Sequence, residues 1–503
     1  MRAIVPVLIG SAVVAATLAS APTVDAATRT WDGGGADNNW STPANWSADT
    51  VPIAGDTATF DGTSTKNATI DVAVTVAIFQ MNAGYTGTVT QSSTFTLTTS
   101  YTQSAGSFAG GGPAISVTGS TTVNSGATFN GGSSTINLTG ALTVNAGGTF
   151  TSTSGTLTVT GAVTFAAGVF THNSGTVIFG TSNVTLNLGG AATFNNVQFA
   201  SGTKTISAGN TMTVLGTLTL TDGLVNTGTV AAQGDISVAS TFDGGSGTLL
   251  INGGGAQAWS GAAIGTTDLP IVNINKGGGS TLTMTGTHRT TRNWTWTAGT
   301  MAASASIVTF ATGLTVTGSH TLGAVTMAGG TITIAAGTTL TASGTTELFS
   351  GTLNTGTLAA QGDVNARVGF TGGGSATLLI NGGGAQTFDG DHSATVGALP
   401  NVDINKTSGL LTLLDTLRTG RNWTHTQALG GLLVTGSTVV FTGSSSTTIT
   451  GSHTLNNVDI RGNTITIAAG TTLTASGTTE LFSGTLNTGT LAAQGDVNAR
   501  VGF

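Results

Sequence analysis

The chain has 503 residues, yet only 7% of them are charged and 78 are glycine, a composition unlike that of a set of ordinary globular domains. Its net charge of −7 forms no basic patch, which argues against a nucleic-acid partner. Hydrophobic residues make up 38% of the chain and alternate with Thr, Ser and Asn, as in strands with one buried face. The glycines follow no three-residue period, which excludes a collagen helix.

Residues 1–26 have the features of a signal peptide. Arg2 supplies a positive charge, Ile4–Leu18 is apolar, and Val24-Asp25-Ala26 fits a small-residue cleavage site. The apolar run is shorter than the ~20 residues that cross a bilayer as a helix, and we expect no membrane-spanning segment after it. An exported chain without cysteine favours a bacterial envelope protein, so we expect a secreted or cell-surface location.

Residues 27–70 differ from the rest of the chain and are predicted to form an amino-terminal cap. Three of the seven tryptophans lie here, at Trp31, Trp40 and Trp46. The favoured interpretation is that these indole rings cover the open apolar end of the stacked repeats. The alternative is that they stack on the faces of sugar rings. The segment also has a cluster of acidic residues: Asp32, Asp37, Asp49, Asp56 and Asp61. Their spacing matches neither an EF-hand nor the glycine-rich nonapeptide calcium repeat, and turns that begin strands explain Asp32, Asp56 and Asp61 more simply than calcium ligation.

The same segment resembles the start of bacterial secreted proteins with autotransporter-associated β-strand repeats. The matching pieces are Trp31-Asp32-Gly33-Gly34-Gly35, Asn39-Trp40, Asn45-Trp46 and Gly55-Asp56-Thr57-Ala58-Thr59-Phe60. The resemblance implies a surface-exposed or secreted β-solenoid, often an adhesin, and it implies no catalytic residues. The chain lacks the carboxyl-terminal membrane barrel of a true autotransporter, which leaves the secretion route open.

Residues 71–200 contain a short repeat. Gly119, Gly140 and Gly161 are 21 residues apart, and Phe129, Phe150 and Phe170 recur at nearly the same period. A unit of this size cannot bury a core alone, but stacked units place each Phe on the next and form a continuous core. We therefore predict an all-β fold, a parallel β-solenoid (β-helix) of roughly 20-residue coils.

A longer repeat begins near residue 201. It predicts module 1 at 201–328, module 2 at 329–461 and a truncated module 3 at 462–503. Thr331–Phe370 recurs unchanged at Thr464–Phe503, which indicates recent duplication. Because the chain stops inside module 3 without a polar end coil, we expect the natural chain to continue beyond Phe503.

The residues that could support catalysis are few. No Asp, Glu, Lys or Arg lies between Val72 and Thr203, so acid–base chemistry is not expected there. The best remaining candidates are Asp389, Asp391 and His392 with Arg418 and Arg421, but a short acidic turn more often marks a polar loop. We therefore predict that the chain is not an enzyme, and we assign no catalytic, cofactor-binding or metal-ligating residue and no cofactor.

Two further patterns have a structural and a functional interpretation. Trp294-Thr295-Trp296 and Arg421-Asn422-Trp423 could form a glycan-binding strip, although strand alternation that buries one side is favoured. His320 and His453 occupy equivalent places in the two modules and are expected at a coil corner. Thr-x-Thr strings such as Thr217–Thr221 raise an ice-binding alternative, yet threonine is also the usual outward residue of a secreted solenoid.

These features together favour an extracellular or cell-surface structural and adhesive protein. Its expected partners are surface glycans or further copies of itself. The first alternative is a carbohydrate-active enzyme, a lyase or glycosidase, built on a β-helix. The second alternative is an ice-binding protein.

Overall fold

A computed structural model describes residues 26–265, 267–428, 431–443 and 447–503. Apart from Ala26, the predicted signal peptide lies outside these residues. The described part of the chain contains 52 strands and three short 3-10 turns (Pro43–Asn45, Ser47–Asp49 and Gly277–Gly279), and no α-helix occurs within it. Across those ranges, no helix is long and apolar enough to cross a membrane.

The strands are numbered β1 to β52 in chain order. In the cap and the first coils, β1 to β20 are Thr28–Thr30, Thr57–Phe60, Ala68–Ile70, Val74–Met81, Thr88–Gln91, Phe95–Gln103, Ser107–Ala109, Ile115–Val117, Thr121–Val123, Thr128–Asn130, Ile136–Leu138, Leu142–Val144, Thr149–Thr151, Thr156–Val159, Val163–Phe165, Phe170–Thr171, Thr176–Phe179, Val184–Asn187, Ala191–Phe194 and Asn196–Phe199.

The remaining strands belong to the longer repeats. In module 1, β21 to β33 are Thr203–Ile206, Thr211–Val214, Leu218–Asn226, Thr229–Ala232, Ile236–Gly244, Thr248–Ile251, Gln257–Ala262, Ile271–Asn275, Thr281–Thr290, Trp294–Ala298, Thr300–Ala311, Leu314–Thr317 and His320–Leu322, and β34, Ala324–Ile334, continues into module 2. From there to the end, β35 to β52 are Thr339–Ala342, Thr346–Asn354, Thr357–Ala360, Val364–Ala366, Thr377–Ile380, Gln386–Asp391, Asn401–Lys406, Leu411–Thr419, Trp423–Ala428, Leu432–Leu433, Thr438–Phe441, Thr447–Thr450, His453–Leu455, Asn457–Ile460, Thr464–Ala475, Thr479–Leu481, Thr485–Ala493 and Val497–Ala499.

Each named strand pairs in parallel with strands of the neighbouring coils. For example, β8, β11 and β14 place Ile115, Ile136 and Leu157 in one row of the ladder. The ladders of the described residues form sheets of 36, 6 and 10 strands, with about 21 residues per turn of the solenoid. The predicted parallel β-solenoid is thus confirmed, and its period is close to the predicted one.

The core is a set of side-chain columns that run from coil to coil. Phe108, Phe129 and Phe150 stack with ring centroids 5.2 and 4.6 Å apart and nearly parallel planes. Phe170 continues this column at 6.2 Å from Phe150. The residues on either side of each buried Phe point outward, so β10 has the alternation exposed, buried, exposed. The column predicted from the spacing of the phenylalanines is therefore present.

The amino-terminal cap contains the three tryptophans that were expected to form it. Trp31, Trp40 and Trp46 are at most 1% exposed, and Trp40 and Trp46 have centroids 4.5 Å apart. The Trp46 indole donates to the Trp40 carbonyl at 2.8 Å, and Trp31 donates to the Lys66 carbonyl at 3.1 Å. The indole N–H groups of Trp31 and Trp46 thus have partners, while the rings cover the first phenylalanine of the core, Phe60.

All four lysines of the chain direct their ammonium groups at backbone carbonyls. Lys66 Nζ donates to the carbonyls of Gly33 and Gly35 at 3.1 and 2.6 Å, which links the glycine run of the cap to a later turn. Lys276 and Lys406 are fully buried and bond the carbonyls of a glycine run on the preceding coil. Lys204 donates to the carbonyls of two serines in the same way. The lysines of this fold therefore connect neighbouring coils through hydrogen bonds to backbone carbonyls.

Candidate functional site

The acidic residues of the cap are mostly turn residues. Asp32 accepts the amide of Gly34 at 3.1 Å, and Asp61 accepts that of Thr63 at 2.8 Å, as expected for turns that precede strands. Asp56 instead links two distant segments, since it accepts the Ala27 amide at 2.9 Å and lies 3.7 Å from the Arg29 guanidinium. No group of three or more potential metal ligands occurs in the described part of the chain.

The two patterns considered as a glycan-binding strip bury one side, as strand alternation predicts, although Trp296 is only partly buried. Trp294 and Trp423 are fully buried, and each donates its indole N–H to a histidine Nε2 at 3.1 Å. The acceptors are His320 and His453, whose Nδ1 atoms lie 2.7 Å from the carbonyls of Gly318 and Gly451. These histidines follow a glycine turn and are buried, so the Trp294–His320 and Trp423–His453 pairs stabilise the fold.

The remaining candidates gather at one place. A cavity of about 420 Å³ on the side of module 2 is lined by residues of three successive coils, and we call it the acidic groove; its residues are Arg367, Asp389, Gly390, Asp391, His392, Asp415 and Thr416. Asp389, Asp391 and His392 are also the best candidates that the sequence offers. Arg418 contacts His392 through its backbone, but neither it nor Arg421 is among the lining residues.

The strand register brings these side chains together. Asn365 of β38 pairs with Asp389 of β40, and Asp391 of β40 pairs with Thr416 of β42. Glu347 of β36 pairs with Asn365, one coil before the cavity. Since neighbouring strands are ~4.8 Å apart, the polar row from β36 to β42 extends over roughly 14 Å along the solenoid axis.

Arg367 is held at one end of the groove. Its Nε atom donates to Glu347 Oε1 at 2.7 Å, and its Nη1 atom lies 3.7 Å from Asp389 Oδ2. The hydrogen bond to Glu347, together with the charges of Asp389 and Asp391, raises the pKa of Arg367. The guanidinium is therefore a fixed positive charge beside the carboxylates of the groove.

Asp389 and Asp415 form a close pair of carboxyl groups. Burial raises the pKa of Asp389, and the charge of Asp415 raises it further. The positive charge of Arg367 lowers the pKa of Asp389, but by less than burial and Asp415 together raise it. A pair of like charges at short range favours a shared proton or a bound cation.

His392 lies against the same cavity with little access to water. It is 6% exposed, and its Nδ1 accepts the backbone N–H of Arg418 at 3.2 Å. Burial lowers its pKa to about 4, an effect that the Arg367 carbonyl partly offsets. A neutral ring that accepts at Nδ1 has its proton on Nε2. The Nε2 atom is itself buried and faces the Arg367 carbonyl without a well-formed hydrogen bond.

Sequence reasoning did not find Arg367, Asp415, Thr416 or the nearby Glu347. The coils of this region differ in length, so a fixed period does not place Asp415 beside Asp389. The available signal was the alignment of the two modules, because Asp415 occupies the place of Gly286 in the ladder of module 1.

The comparisons with known proteins add no further information. No family model matches the chain, and no match was found among curated proteins or among solved structures. The resemblance of the amino-terminal segment to autotransporter-associated repeats thus stays a prediction.

Proposed function

We propose that this protein is an extracellular or cell-surface structural β-solenoid of a bacterium, with adhesive contacts to glycans or to copies of itself. The observation that carries the proposal is the continuous core, which extends from Trp31 through every module to Ala475. Such a stack supplies length and a large polar surface, and these are the properties of a stalk.

Composition supports the same proposal. The predicted signal peptide and the absence of cysteine agree with export in a bacterium. The net charge of −7 favours uncharged or cationic partners over nucleic acid.

Location is tested with antibodies against the full chain on intact cells of the producing organism. We expect labelling of unbroken cells and its loss after brief treatment with an external protease. Signal that appears only after lysis would rule out the surface location.

The enzymatic alternative is tested by incubating the full chain with a panel of polysaccharides and measuring new reducing or unsaturated ends. The structural proposal predicts no turnover. Turnover that disappears in Asp391→Asn would replace it with a carbohydrate-active enzyme.

A further inference from the structure

The cap holds the amino group of a lysine against a buried side-chain amide. Lys66 Nζ donates to Asn45 Oδ1 at 3.2 Å, and Asn45 is fully buried. The backbone carbonyl of Lys66 accepts the indole N–H of Trp31 at 3.1 Å and the hydroxyl of Tyr85 at 3.0 Å. The lysine is therefore fixed beside the aromatic cap, and its amino group lies next to the amide of Asn45.

Two glycines make this close approach possible. A Cβ atom on Gly35 would lie 2.8 Å from Asn45 Oδ1, and a Cβ atom on Gly33 would lie 2.9 Å from Lys66 Cδ. Real Cβ atoms essentially never show contacts this short. Side chains at these two positions would thus push the lysine and the asparagine apart.

The other partners of the Asn45 amide favour attack on its carbonyl carbon. Oδ1 also accepts the backbone N–H of Gly35 at 3.0 Å, and such a donor stabilises the oxyanion that forms when a nucleophile adds to a carbonyl. Nδ2 donates to Asp37 Oδ1 at 3.2 Å and to the Asn39 carbonyl at 3.0 Å. A carboxylate thus contacts the nitrogen that would leave.

Asp37 is suited to move protons between the two side chains. Hydrogen bonds from the Thr42 hydroxyl and the Asn39 amide lower the pKa of Asp37, and the nearby charge of Lys66 lowers it further. The carboxylate is therefore ionised at neutral pH. It is able to accept a proton from the lysine and to pass one to the amide nitrogen.

The lysines of the two modules provide a contrast within the same chain. Lys276 and Lys406 donate to the side-chain oxygens of Gln257 and Gln386 at 2.5 and 2.6 Å. The amide nitrogens of these glutamines donate to backbone carbonyls, which are not acid–base groups at neutral pH. The pair in the cap differs from them by Asp37, which supplies the group that proton transfer requires.

We propose that Lys66 and Asn45 form an intramolecular isopeptide bond, which joins the 3-10 turn Pro43–Asn45 of the cap to the turn before β3. Asp37 accepts a proton from the Lys66 ammonium, and the neutral amine attacks Cγ of Asn45. As the Cγ–Nδ2 bond breaks, a second proton from the lysine nitrogen and the proton on Asp37 pass to the departing nitrogen. This nitrogen leaves with the bonding electrons as an ammonium ion, so atoms and charge balance without a co-reactant.

The test is mass spectrometry of the intact purified chain, followed by peptide mapping after digestion. We expect a mass that is lower by one ammonia than the mass calculated for the same termini, and a branched peptide in which Asn45 is joined to Lys66. The calculated mass, with the two residues in separate peptides, would overturn the proposal. A loss of ammonia confined to one unbranched peptide would also overturn it, because a succinimide at an asparagine has the same mass.

Variants assign the chemistry to these three residues. Lys66→Arg keeps a positive charge that donates to carbonyls but has no amine to form the bond, so the full mass should return. Asp37→Asn should lower the linked fraction at least about tenfold at a fixed time after synthesis. Asp32→Asn, at another exposed turn of the cap, is the matched control and should leave the linked fraction unchanged.

An undiminished yield of the branched peptide in Asp37→Asn would overturn the proposed reaction. The mass of the parent chain decides whether the bond exists, independently of how well any variant folds. The result is also separate from the proposed function, which the surface-labelling experiment decides.

Discussion

At the scale of single residues, buried lysines donate hydrogen bonds to backbone carbonyls in the glycine turns. Lys406 Nζ donates to the carbonyls of Gly382 and Gly384 at 2.7 and 2.9 Å and to Gln386 Oε1 at 2.6 Å. Burial lowers the pKa of Lys406, yet three close acceptors surround its nitrogen. Lys276 has the equivalent contacts in module 1.

Lys406→Met should therefore destabilise its coil by about 3 kcal/mol, because three buried acceptors lose their donor. The measurement is native-state hydrogen exchange of the amides of Gly382 and Gln386. Thr407→Met, at the exposed neighbouring position, is the control and should have little effect. Equal protection in both variants would show that the lysine is dispensable.

Buried histidines make the modules sensitive to acid. Burial lowers the pKa values of His320 and His453 to about 4, from an ordinary value of 6.5. Between these two values the unfolded chain binds protons that the folded chain does not. The free energy of unfolding should thus fall as pH decreases from about 6.5 to about 4.

His453→Gln tests this relation, because glutamine can still accept the indole N–H of Trp423 but does not titrate. We expect a smaller loss of stability on acidification than in the parent, measured by urea unfolding at several pH values. Identical pH dependence in both proteins would contradict the role of His453.

At the scale of elements, the columns of the core are the main source of stability. Phe129→Ala removes one ring from a column whose neighbours lie 5.2 and 4.6 Å away. Large-to-small changes of this kind cost about 3–5 kcal/mol. The adjacent outward position gives the control, since Thr128→Ala should change stability by no more than about 0.5 kcal/mol. Chemical denaturation followed by circular dichroism is the measurement, and similar midpoints for the two variants would contradict the column.

The sequence predicts these elements well where the coil length is constant. The phenylalanine column and the tryptophan cap follow from spacing and residue type alone. Prediction fails at Lys406, because lysine usually lies on the surface. It also fails at Asp415, because the position of Asp415 beside Asp389 depends on the strand register between coils of unequal length. Both failures concern contacts between coils, which a linear period does not encode.

At the scale of the whole molecule, the described residues form one continuous solenoid. With about 21 residues per turn and ~4.8 Å per turn, the chain forms a rod on the order of 100 Å long. The cap covers one end of its core, and the acidic groove lies on its side in module 2. In this shape the cap and the acidic groove are separated along the axis of the rod.

Small-angle X-ray scattering of the full chain tests the continuous rod most directly. A rod of this length has a radius of gyration of about 30 Å, and its scattering should show the intermediate region typical of an elongated particle. A compact protein of the same length would have a radius of gyration of about 23 Å. A value near the lower figure with a symmetric distance distribution would contradict the continuous solenoid.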